Sequence, residues 1–158
     1  MYSEPGHGTT FKLYFPRVTE PVSPDWREEV EPPIPVAGET VMLVEDEAQV
    51  RDLEARMLKQ LGYTVLAAAN GEEAMDICQS HQGRISLLVT DVVMPNMSGK
   101  QVAEAMLARR PDIKVLYLSG YTDNTISHHG ILDSSVDFLT KPFSRETLSR
   151  KVRDILSR

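Results

Sequence analysis

A chain of 158 residues, 41% of them apolar and 25% charged, has the make-up of one soluble globular domain with a tail. Its formal charge of −6, with the basic residues scattered, leaves no electrostatic footprint for nucleic acid or an anionic membrane and points to protein partners and small ions. The lone Cys78 rules out an internal disulfide and suits a reducing, cytoplasmic setting, and no apolar run approaches the ~20 residues of a membrane-spanning helix.

The start, Met1-Tyr2-Ser3-Glu4, lacks the basic residues of a signal peptide. Seven of the ten prolines lie in the first 40 residues, and Glu28-Glu29-Val30-Glu31-Pro32-Pro33 adds acidity, so residues 19–39 read as an extended linker. Ahead of it only Phe11-Lys12-Leu13-Tyr14-Phe15 has the pattern of a strand, and Trp26 lies within the linker. Beyond a boundary near Gly38, short apolar runs at 41–44, 63–67, 85–89, 113–118 and 136–139 alternate with amphipathic segments. That alternation predicts an α/β domain, a five-stranded parallel sheet with helices on both faces.

Between the runs, Val50, Leu53, Met57, Leu58 and Leu61 recur at helical spacing, as do Val102, Ala103, Met106 and Leu107, and Leu148, Val152, Ile155 and Leu156. These stripes are read as sheet-packing faces. Asn70 with Glu73, and Ser98 with Gln101, have capping-box spacing, and Ser144 is a plain N-cap. Residues 122–135, which include His128 and His129, carry the weakest helical pattern, and those histidines read as a solvated helix end. Cys78 falls in an amphipathic helix and reads as a core residue.

Ligands of an open parallel sheet bind outside the carboxyl ends of its strands, so the residues closing each run carry the information. They are Glu45-Asp46 after the first, Asp91 after the third, Ser119-Gly120 after the fourth and Thr140-Lys141-Pro142 after the fifth. Singly, each reads as a cap or a surface residue; jointly they put three carboxylates, a hydroxyl and an ammonium on one edge. Two carboxylates about 4 Å apart repel by ~4 kcal/mol at an effective dielectric of about 20, so the three acids imply a cation among them. All-oxygen ligands suit a hard ion, Mg²⁺, or Mn²⁺ in its place. Asp91 is then a nucleophile for phosphorus, with Lys141 and Ser119 neutralising the oxygens of the transferred group.

These residues and their settings resemble the receiver domain of two-component response regulators, in which a histidine kinase donates a phosphoryl group to an aspartate. The resemblance covers residues 40–158. Leu43-Val44-Glu45-Asp46-Glu47 is similar to the family's acidic-pair motif and residues 89–99, around Asp91, to its phosphoacceptor motif. Leu118-Ser119-Gly120-Tyr121 and Phe138-Leu139-Thr140-Lys141-Pro142-Phe143 are similar to its two switch motifs. The resemblance implies a doubly wound, flavodoxin-like sheet of order 2-1-3-4-5. It also implies Mg²⁺ ligation by Glu45, Asp46, Asp91 and the backbone carbonyl of Val93, phosphoryl binding by Ser119 and Lys141, and a cis Lys141–Pro142 peptide. Phe138 takes the place of the switch aromatic that moves together with the hydroxyl residue, here Ser119.

Two side chains bear on the lifetime of the acyl phosphate. Val93 offers no polar group to orient a water, and Tyr121 is placed to shield the group, so slow hydrolysis is expected. Phe138 lacks a phenolic hydroxyl, which excludes a hydrogen bond from that ring. At the other end, residues 3–17 resemble the last glycine box and final strand of a histidine-kinase ATP-binding domain, which makes 1–18 a remnant without an ATP site. The chain is thereby expected to be the C-terminal end of a hybrid sensor kinase, whose other regions would supply any membrane anchor. Its partners are expected to be a histidine-containing domain of its own or a partner kinase, or a histidine phosphotransfer protein, with no direct nucleic acid or membrane contact. Two rival readings stand beside it: an interaction module that gates its kinase by docking, and a hydrolase with an aspartyl-phosphate intermediate. The hydrolase lacks a general acid, since Val93 stands two residues after Asp91.

Overall fold

The computed structural model describes residues 2–14, 38–120 and 136–158. The linker up to residue 37, with Trp26, and the expectations for Tyr121, His128, His129 and a helix over 122–135 lie outside the described residues. The chain divides into two compact units, Met1–Val30 and Glu31–Arg158.

In the first unit, β1 (Tyr2–Glu4) and β2 (Gly8–Thr10) form an antiparallel hairpin in which Ser3 pairs with Thr9. Gly6 and Gly8 both adopt positive φ, 80° and 83°, conformations open to glycine at no steric cost, and the turn between the strands depends on them. The strand expected over residues 11–15 is not seen in 11–14, where Phe11, Leu13 and Tyr14 are largely exposed. Aromatic alternation there satisfies strand propensity, but a strand exists only where a second chain segment takes its hydrogen bonds, and the glycine turn assigns those to residues 2–10.

The second unit runs β3 (Thr40–Val44), α1 (Ala48–Gln60), β4 (Thr64–Ala68), α2 (Gly71–Ser80), β5 (Leu87–Asp91), α3 (Gly99–Arg109), β6 (Lys114–Ser119), β7 (Asp137–Thr140) and α4 (Arg145–Leu156). Its five strands are all parallel in the order β4-β3-β5-β6-β7, which is 2-1-3-4-5 counted within the unit. The two faces divide the side chains by the period of two. Val41, Leu43, Leu87 and Val89 pack with Leu58 of α1 and Leu148, Val152 and Ile155 of α4. Met42, Val44 and Leu88 pack with Ala74 and Cys78 of α2 and Val102 and Met106 of α3. Burial on both faces is why β3 reads as an unbroken apolar run.

The helix starts follow the expected caps, with one difference. Ser98 and Gln101 close a full capping box, and the Ser144 hydroxyl accepts from Thr147 N–H. Asn70 accepts from Glu73 N–H, but the Glu73 carboxylate reaches back to the N–H of Ala69 instead of that of Asn70. Two positions of the expected stripes, Leu53 of α1 and Leu107 of α3, face outward; each helix is narrower in contact than its apolar residues suggest. The Arg110 guanidinium, donating to the carbonyls of Cys78, His81 and Gly83, ties down the C-terminal end of α2.

Candidate functional site

Hydrogen bonds between strands continue past the last apolar residue of each strand and hold the polar ends in place. Glu45 N–H donates to Ala68 O, Val92 N–H to Leu118 O and Lys141 N–H to Ser119 O, at 3.2, 2.9 and 2.7 Å. Glu45, Asp91, Ser119 and Lys141 therefore meet along one edge although up to 96 residues separate them in the chain. Carboxylate oxygens of Glu45, Asp46 and Asp91 lie within 4.8 Å of one another.

Each group has a distinct environment. Glu45 is buried; its Oε1 accepts from Glu47 N–H at 3.2 Å and its Oε2 from the Lys141 ammonium at 2.6 Å. Asp46 is exposed, and the loop carrying it is pinned by Arg51, which donates to the carbonyls of Glu45 and Asp46 at 2.8 and 3.2 Å. Asp91 is partly exposed, accepting from Val93 N–H at 3.4 Å and from Lys141 at 3.2 Å. Ser119 is buried where β6 ends, one residue beyond the Leu118 that pairs with Asp91. The Lys141–Pro142 peptide is cis. Val93 and Phe138 are 49% and 36% exposed.

Beneath Asp91 the backbone is tightly fitted. Gly99, the first residue of α3, lies so close to the Asp91 carbonyl that a Cβ there would collide with it, and the Gly99 N–H donates to Val92 O at 3.1 Å. Any larger residue at 99 would have to push the end of β5 out of place.

Sequence patterns alone pass over two members of the site. Arg51 sits among other charged residues of α1 and gives no signal. Glu54 does: it continues the stripe of Val50, Leu58 and Leu61, a position where an apolar side chain belongs. Its side chain is 4% exposed, and Oε1 stands 3.3 Å from the Lys141 ammonium. Burial, only partly offset by Lys141, pushes the Glu54 carboxyl up to about 7. At Lys141 burial acts to lower the pKa, but the hydrogen bond to Glu45 and the charges of Glu54, Asp91 and Glu45 outweigh it, so the ammonium is held above the usual lysine range.

The donor set fits a hard divalent cation: among the described residues it is three carboxylates with no nitrogen or sulfur ligand, close enough to hold one ion. Among the described residues, the Lys141 ammonium is ion-paired to Glu45, Asp91 and Glu54, an excess of carboxylates that a divalent ion would balance.

Residues 41–153 match the family described as response regulator receiver domain. The chain is 38% identical, over 163 aligned residues and 99% of its own length, to the sensor kinase CckA of Brucella abortus, and spans only 17% of that kinase. Among solved structures, the receiver domain of the hybrid histidine kinase CckA is 36% identical with a TM-score of 0.63, the match covering 74% of this chain and 98% of that one. The chemotaxis protein CheY4 of Vibrio cholerae is 28% identical with a TM-score of 0.66, covering 75% and 99%. With its sheet order, its acidic edge and this match across most of its length, the chain belongs to the response regulator receiver domain family.

Proposed function

We propose that this receiver domain takes a phosphoryl group from a phosphohistidine onto Asp91, with Mg²⁺ held by Glu45, Asp46, Asp91 and the carbonyl of Val93. The observation that carries the reading is the Lys141 ammonium bound to both Glu45 and Asp91 beside a carboxylate triad. An Asp91 carboxylate oxygen forms the new bond to phosphorus as the bond from phosphorus to the histidine nitrogen breaks, and the imidazole leaves with its electron pair. Mg²⁺, when bound, neutralises charge on the phosphoryl oxygens. Lys141, already pointed at Asp91 Oδ2, needs little rearrangement to reach those oxygens, and Ser119 closes on them from the next strand. Phe138, part-exposed on β7, is then the ring whose position reports the state of Ser119 to the neighbouring surface.

The alignment with a sensor kinase over nearly the whole chain, not the receiver part alone, supports placing residues 1–18 at the end of a kinase ATP-binding domain. On that reading the domain is a relay or brake within a hybrid kinase, and its partners are a histidine-bearing domain or a phosphotransfer protein. Among the described residues no helix is long and apolar enough to cross a membrane.

Incubating the full chain with Mg²⁺ and acetyl phosphate is expected to add the mass of one phosphoryl group, mapped to Asp91 by peptide analysis. No gain would favour the docking module, and rapid turnover of donor without gain the hydrolase. The acyl phosphate is expected to be long-lived because Val93, exposed two residues on, presents only methyl groups to water. Val93→Asn should shorten its lifetime by about 10-fold by orienting that water; a wild-type lifetime of seconds, unchanged in the variant, would overturn this expectation.

A further inference from the structure

Lys141 is held from three sides, and one of them lies off the acidic edge. Glu45 closes β3 and Asp91 closes β5, but the third carboxylate, Glu54, comes from the middle of α1, and its second oxygen, Oε2, is buried without a hydrogen-bond partner. A buried carboxylate with an orphaned oxygen is costly, and the position asks for leucine or valine. Such a cost at a core position next to a reactive group marks a functional constraint.

We infer that Glu54 is a positioning residue for Lys141, anchoring the ammonium from the α1 side so that it stays over Asp91 while that carboxylate is being phosphorylated. Of the ammonium's three N–H donors, two go to the carboxylates of Glu45 and Asp91, and the Glu54 carboxylate stands 3.3 Å away as an ion-pair partner. When Asp91 gains a phosphoryl group, its charge moves outward onto the new oxygens. The ammonium then transfers the one bond it made to Asp91, and the bond to Glu45 and the ion pair with Glu54 keep it from leaving. Beside it lies an open cavity of about 200 Å³ walled by Val50, Leu53, Met57, Pro142 and Phe143. With Glu54 absent, that cavity is the path by which the flexible lysine swings to solvent.

This inference rests on Asp91 being the acceptor, and two readouts on the full chain separate its failure from the failure of that reading. The first is the ¹⁵N NMR signal of the Lys141 ammonium without donor, in wild type, Glu54→Leu and Glu54→Gln. Slow hydrogen exchange is expected in wild type and in the glutamine variant, which keeps an oxygen for Lys141, and loss of the signal in the leucine variant. The second is phosphoryl uptake against acetyl phosphate concentration with Mg²⁺. The maximal rate of Glu54→Leu should fall about 10-fold with the half-saturating concentration unchanged, while Glu54→Gln stays within about 3-fold of wild type. Thermal unfolding should show the leucine variant at least as stable as wild type, so that lost uptake is not lost folding. An unchanged Lys141 signal in Glu54→Leu overturns the inference whatever uptake does, as does a fall in uptake that Glu54→Gln fails to rescue. A wild type that takes up no phosphoryl group sinks the acceptor reading alone, and the NMR comparison still decides the role of Glu54.

Discussion

Asp91→Asn is expected to abolish phosphoryl uptake from acetyl phosphate and, in the absence of divalent ions, to make the domain more stable than the wild type. The first effect follows from chemistry: an amide oxygen is too poor a nucleophile for phosphorus, and uptake should drop by at least about 100-fold. The second follows from geometry. Asp91 shares a space 4.8 Å across with Glu45 and Asp46, and two unit charges at that distance repel by roughly 3 kcal/mol at an effective dielectric of about 20. Lys141 offsets part of this, so removing one carboxylate charge should add about 1–2 kcal/mol to the unfolding free energy. Mg²⁺ should reverse the order. Each increment of free ion stabilises only the species that binds it, so the melting temperature of the wild type should climb with Mg²⁺ while that of Asp91→Asn stays nearly level. Denaturant melts with chelator and with graded Mg²⁺ provide the check. Equal uptake by the two proteins would move the acceptor elsewhere, and equal stability in chelator would mean that the triad holds no uncompensated charge.

The stability of the wild type, measured without divalent ions, is expected to fall as the pH rises from 4.5 through 7, and Glu54 is the group responsible. Its carboxyl titrates at about 7 in the folded protein against 4.5 when unfolded, because burial penalises the anion more than Lys141 rewards it. Between those values the native state holds a proton that the unfolded chain has released, so raising the pH favours unfolding. The contribution is complete below the unfolded value and gone above the folded one, and its size for that shift is about 3 kcal/mol. Other acids titrate in the same range, so the quantity to measure is the difference between wild type and Glu54→Gln, which carries no proton to lose. The glutamine variant should gain on the wild type steadily across that window. A difference that stays flat from pH 4.5 to 8 would mean that Glu54 remains ionised throughout, with Lys141 compensating it fully.

Much of this arrangement is legible in the residue order. Short apolar runs spaced by amphipathic segments point to parallel strands under helices, since a strand buried on both faces carries mostly apolar side chains on each. The runs place the strands correctly but end them one or two residues early, at Val89, Leu118 and Leu139. Asp91, Ser119 and Thr140 still belong to the ladder, because pairing is a property of the backbone and the side chain at a strand end is free to be polar. Asp91, Glu45, Asp46, Ser119 and Lys141 could be named as a set because parallel strands all finish at the same edge, a rule of topology needing no coordinates.

What the sequence could not decide is which of those groups touch, and what else they touch. A carboxylate in the stripe of α1 is visible as an anomaly, but its partner is 87 residues further on, at the end of β7, and only packing α1 against that edge brings Glu54 to Lys141. The hairpin of residues 2–10 was hidden for a related reason, since propensity favoured Phe11 to Phe15 and one turn with two glycines outside that run assigned the pairing. Residue order by itself determined the architecture and the acidic edge, because periodicity and strand direction are local properties repeated along the chain. Tertiary structure alone decided the three-carboxylate hold on Lys141, because long-range contacts depend on which helix face the sheet accepts and how deep each side chain lies.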